Sequence, residues 1–96
     1  MRAQYDSTAN AISIDLEVVD HWDGGVEVHE RGHVALVGGS PVNIEVLYPD
    51  LGLEAPLHAI ADRYGLDEKA LLAAARAAVS AADRPVSIEV LAKQTA

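Results

Sequence analysis

The chain has 96 residues, which allows one domain and one modest core. Half of the residues are hydrophobic and 23% are charged, a globular balance rather than a disordered one. Fifteen acidic residues against 7 basic ones give a net charge of −8. That field repels phosphate backbones, and Arg2, Arg31, Arg63, Lys69, Arg76, Arg84 and Lys93 are scattered rather than clustered, which argues against nucleic acid as a partner.

Cysteine is absent, so disulfides, thiolate catalysis and Cys-based zinc sites are excluded together. No apolar run approaches the ~18 residues of a membrane helix, and the first residues lack the apolar stretch of a signal peptide. A soluble, cytoplasmic protein without membrane contact is expected. With no Phe, the core must be assembled from Val, Ile, Leu and Ala.

The hydrophobic period then divides the chain. Residues near 2–5 suggest a short first strand, followed by a turn at Asp6, Ser7 and Asn10, side chains that bond their own backbone. Residues 11–17 alternate strictly, placing Ile12, Ile14 and Leu16 on one face and Ser13, Asp15 and Glu17 on the other, as in a half-buried strand. A polar loop over 20–25 ends in Gly24-Gly25. Residues 26–29 and 33–37 read as a hairpin around Glu30-Arg31-Gly32, with Gly32 in the left-handed conformation of a G1 bulge. That register pairs Val28 with Val34, Val26 with Leu36, Glu27 with Ala35 and His29 with His33. Gly38-Gly39-Ser40-Pro41 is the next turn, and residues 42–47 form a strand that buries Val42, Ile44 and Val46.

Beyond Tyr48-Pro49-Asp50 the period becomes helical. Leu57, Ile60, Ala61 and Tyr64 share one face, with Pro56 at the first helical position. Gly65 supplies a left-handed stop, and Asp67 an N-cap for a second helix near 68–80 with a stripe of Leu71, Ala74, Ala75, Ala78 and Val79. Asp83-Arg84-Pro85 ends it. Residues 86–91 alternate again and predict an edge strand, joined to this sheet or to a partner's. The expected fold is α+β: an antiparallel β-meander (2–50), an αα-hairpin (56–82) and a C-terminal strand (86–91), all in one domain.

The first half carries a resemblance. Tyr5-Asp6, the strand Ala9-Asn10-Ala11-Ile12-Ser13-Ile14-Asp15-Leu16, Gly25-Val26-Glu27-Val28 and the closing strand Val42-Asn43-Ile44-Glu45-Val46-Leu47 follow in order. This resembles the small bacterial family catalogued as domain of unknown function 2283, over about residues 2–50. The chain departs from it at Gly38-Gly39-Ser40-Pro41, where the family has acidic residues with Gly, and in the helical hairpin. The resemblance implies a compact β-meander and assigns no catalytic residue.

Four constellations bear on function. In the register above, His29 and His33 lie side by side and could hold a divalent metal with Glu27, Glu30 or His21; two exposed histidines beside a turn also need no role. Ala61-x-x-x-Gly65-Leu66 matches the turn between the two helices of a helix-turn-helix, with residues 64–76 as the recognition segment and Lys69 and Arg76 as its DNA-facing cations. Its opening Asp67-Glu68 and many alanines suit base readout poorly. Trp22, the single tryptophan, either covers one end of a Phe-free core or anchors a partner; the cover fits better. No serine sits in a nucleophile elbow, and Gly38-Gly39-Ser40 is no phosphate loop, so neither an enzyme nor a cofactor is expected. The reading that remains is an interaction or structural module that self-associates, with Val86, Ile88 and Val90 on the strand that pairs across a two-fold axis.

Overall fold

The computed structural model describes residues 1–87, and in them six antiparallel strands form one sheet with two helices against a single face. Strand β1 (Arg2–Asp6) turns into β2 (Ala11–Asp15) through residues that satisfy their own backbone. Asp6 accepts from the N–H groups of Thr8 and Ala9, and Asn10 takes the left-handed conformation at φ 52° that asparagine tolerates.

The chain then crosses to the far side of the sheet. Strands β3 (Gly24–His29), β4 (Gly32–Val37) and β5 (Ser40–Leu47) form the meander. β5 returns to pair with β2, so the strand order is β3-β4-β5-β2-β1, with a last strand β6 (Val86–Ser87) outside β1. The hairpin between β4 and β5 has two central residues, Gly38 and Gly39, both at positive φ, the turn whose twist matches that of the strands. β5 starts at Ser40 rather than after Pro41. Proline fits there because Val42 is an extra residue, a bulge opposite the Ala35–Leu36 step. The carbonyl of Val42 accepts from the N–H groups of both Leu16 and Glu17, which fixes where the crossing leaves β2.

The first hairpin differs from the expected register. Val26 pairs with Val34, Glu27 with His33 and His29 with Gly32, with Val28 as the extra residue. Gly32 is therefore a strand residue, not the left-handed residue of a G1 bulge, and it does not belong to the positive-φ glycines. Its lack of a side chain serves packing: a β-carbon there would stand 3.1 Å from Cδ1 of Ile60 and 3.2 Å from Cβ of Pro56. The turn is closed instead by His29, whose Nδ1 accepts from the N–H of Arg31.

Helix α1 (Glu54–Tyr64) begins two residues before Pro56, which lies in the first turn where no intrahelical N–H bond is lost. Gly65, at φ 66°, ends it. Asp67 caps helix α2 (Glu68–Ser80) by accepting from Ala70 N–H. α1 lies over β3, β4 and β5, and α2 over β1 and β2. Ile12, Ile14, Val34, Ile44 and Val46 from the sheet meet Leu57, Ile60, Leu71, Ala74, Ala75 and Ala78 from the helices. The small alanines let α2 approach the strands closely, so a core without Phe still closes. Val79, expected on that stripe, is exposed.

The loop between β5 and α1 is tied down by one side chain. Nη1 of Arg31 donates to the carbonyls of Leu47, Tyr48 and Gly52, at 3.3, 3.0 and 2.9 Å. That loop contains a 3-10 turn at Pro49–Leu51 preceded by Tyr48 at φ 50°. After α2, Asp83 takes a left-handed conformation, donates its N–H to Tyr5 and accepts from both the N–H and the hydroxyl of Ser7. This clasp delivers Val86 opposite Ala3 and Ser87 opposite Arg2.

Candidate functional site

Because both helices cover one face of the sheet, alternation sends every second side chain to an uncovered face. Cross-strand register arranges these in rows. One row runs Glu27, His33, Glu45, Ser13, Gln4, and the next runs Gly25, Ala35, Asn43, Asp15, Arg2. The second row begins with two residues that have little or no side chain. Over them the face sinks into a hollow of about 440 Å³ whose lining includes Trp22, Gly24, Gly25, Glu27, His33 and Asn43.

Asn43 makes the floor polar. It is only 6% exposed, and both hydrogens of its amide are committed, one to Ser13 Oγ and one to Asp15 Oδ1, each at 2.9 Å. Its Oδ1 accepts from no described donor. Glu27 and Glu45 flank His33 and are exposed, so in a largely apolar lining the charged groups are both negative. Arg2 stands opposite Asp15, outside the hollow.

Trp22 is 55% exposed and lies at this hollow. It belongs neither to the core between sheet and helices nor to the side chains packed against that core, so it does not cover its end. His33 is in the hollow, whereas His29 is paired with Gly32, whose missing side chain faces α1. Residues adjacent on a strand point to opposite faces, so the two histidines lie on opposite sides of the sheet and not side by side. Among the described residues no group of three metal-ligating side chains is gathered.

Lys69 and Arg76 are exposed on α2, whose other face is packed on the sheet. Arg76 is held by Glu54 at 3.1 Å, and it rims a second groove, of about 340 Å³, lined with Tyr5, Pro49, Leu53 and Val79. Val86 packs against the core, while Ile88 and Val90 lie outside the described residues.

Two perturbed titratable groups stand away from the hollow. The hydrogen bond that His58 donates to Glu68, reinforced by the charge of that carboxylate, holds His58 above its ordinary pKa. The hydrogen bonds from the hydroxyl and N–H of Ser7 hold the Asp83 carboxyl below its usual range.

The outer positions could be read from alternation alone once the register was known. The hollow could not, since it depends on Gly25 being the neighbour of Ala35 across β3 and β4. No helix among the described residues is long and apolar enough to cross a membrane. The chain matches no protein-family model, no curated protein and no solved structure.

Proposed function

We propose that the protein is a non-enzymatic interaction module that associates with a second copy of itself. One observation carries this reading: β6 occupies the sheet edge beside β1, with no described strand on its other side. Backbone N–H and C=O groups on such an edge can pair with a second sheet, and a two-fold axis lets one strand serve both copies. Val86 packs on the core from this strand, so the edge is held in place. The clasp of Asp83 on Ser7 and Tyr5 fixes the approach to it.

Light scattering on the purified chain tests the reading. A dimer is expected, twice the 10.1 kDa of the chain. Ser87→Glu should reduce it to monomer, because the new carboxylate can face Arg2 within a chain but repels its copy across the axis. A strictly monomeric mass at high concentration would remove the proposal.

A further inference from the structure

We propose that the hollow on the open sheet face, together with the free edge of β3, receives an extended polypeptide segment and takes one of its Arg or Lys side chains against Trp22. Among the described residues β3 is the end strand of the sheet and pairs only with β4, so its other side offers backbone groups that no described strand takes up. A segment that adds there as a strand places every second side chain over the open face. The position beside Gly25 has no side chain to oppose an incoming one: a β-carbon at Gly25 would meet only a backbone atom of β4 at 3.7 Å.

The chemistry of the hollow selects the side chain. Glu27 and Glu45 supply negative charge, and the buried Asn43 supplies a carbonyl oxygen whose own amide hydrogens are spent on Ser13 and Asp15. A ligand that brings donors and positive charge satisfies them; an anion or an acceptor does not. Trp22 adds the aromatic surface on which a guanidinium or ammonium group sits well. The net charge of −8 favours approach of a basic segment over an acidic one. An extended peptide fits better than a free amine because the hollow borders the backbone edge of β3.

The test uses the full chain with arginine amide and three capped hexapeptides: alternating Thr-Arg, the same with citrulline for Arg, and alternating Thr-Glu. Trp22 is the single tryptophan, so its emission reports the hollow directly. Amide shifts in a two-dimensional NMR spectrum locate the contact. The Arg peptide is expected to change Trp22 emission saturably, to shift the amides of Gly24, Gly25 and Val26, and to bind less tightly as salt rises. Citrulline should weaken binding about tenfold, the scale of losing one charge-assisted contact. The exposed Glu27→Gln/Glu45→Gln double variant should weaken it by a similar factor with an unchanged melting temperature. Equal binding of the Glu peptide, unchanged affinity in the double variant, shifts confined to other strands, or arginine amide binding as tightly as the peptide would each overturn the proposal. So would a β3 edge whose amides shift with protein concentration alone, since a second copy would then occupy it.

Discussion

Gly32 and Ile60 are in such close approach that a single carbon added to the glycine would stand 3.1 Å from the end of the isoleucine side chain. The contact fixes how α1 lies over the β3–β4 hairpin. Gly32→Ala should therefore destabilise the protein by about 1–3 kcal/mol, the scale of overpacking a core. Pro56 cannot yield, but Ile60 can be shortened. In a double-mutant cycle by urea unfolding, Ile60→Val should recover part of the loss, and strict additivity of the two changes would refute the contact.

Arg31 joins two loops through three carbonyls that no other described side chain serves. Arg31→Ala should cost about 1.5–3 kcal/mol, as for hydrogen bonds to a charged group. Hydrogen exchange should rise first at Leu51 and Gly52, whose own N–H bonds close the 3-10 turn. A loss spread evenly over the sheet would contradict the role.

Asn43 donates to a carboxylate 2.9 Å away on the neighbouring strand. Asn43→Asp replaces a donor with a second carboxylate in a buried place, and the cost at neutral pH should be about 3 kcal/mol. Like charges raise a carboxyl pKa, so the penalty is present above the ordinary Asp pKa and shrinks as the pair takes up a proton in acid. Thermal melts at pH 7 and pH 4 should show the gap to the parent chain narrowing.

The Asp83 carboxyl titrates below its usual 3.8 because Ser7 donates to its ionised form. A lowered pKa in the folded state stabilises above the unfolded value and is lost as pH falls through the lowered one. Ser7→Ala should thus lower the melting temperature at pH 6 and make no difference near pH 2. A constant difference across that range would show that the clasp is not electrostatic.

His58 behaves in the opposite sense. Its pKa is raised by Glu68, so its contribution is complete below the unfolded value near 6.5 and fades as pH rises through the raised one. Proton NMR should place the His58 midpoint above the ordinary value of 6.5, and Glu68→Gln should return it toward that value. An unmoved midpoint in the variant would assign the shift to another group.

The strands and helices were legible because their periods are clean. Ile12-Ser13-Ile14 alternates, and Leu57, Ile60, Ala61 and Tyr64 recur at helical spacing. Gly65 and Asp67 punctuate the helices as their chemistry requires. The His29–His33 pairing was not legible, because one inserted residue in β3 reverses which face each side chain takes. The sequence around Gly32 fits a left-handed turn as well as it fits a strand residue pressed by a helix. Only Pro56 and Ile60, more than twenty positions away, decide between them. The hollow beside Trp22 was hidden for the same reason: Gly25, Ala35 and Asn43 become neighbours only across three strands.

The place of β1 between β2 and β6 has a consequence for synthesis. Arg2 and Ala3 leave the ribosome more than eighty positions ahead of their outer partners, Ser87 and Val86. At roughly 5–20 residues per second, the first strand waits several seconds with one side open. The β3–β4–β5 hairpins, built from near neighbours, can form during that wait. The nascent chain thus gains its centre early and the seal of β1 late.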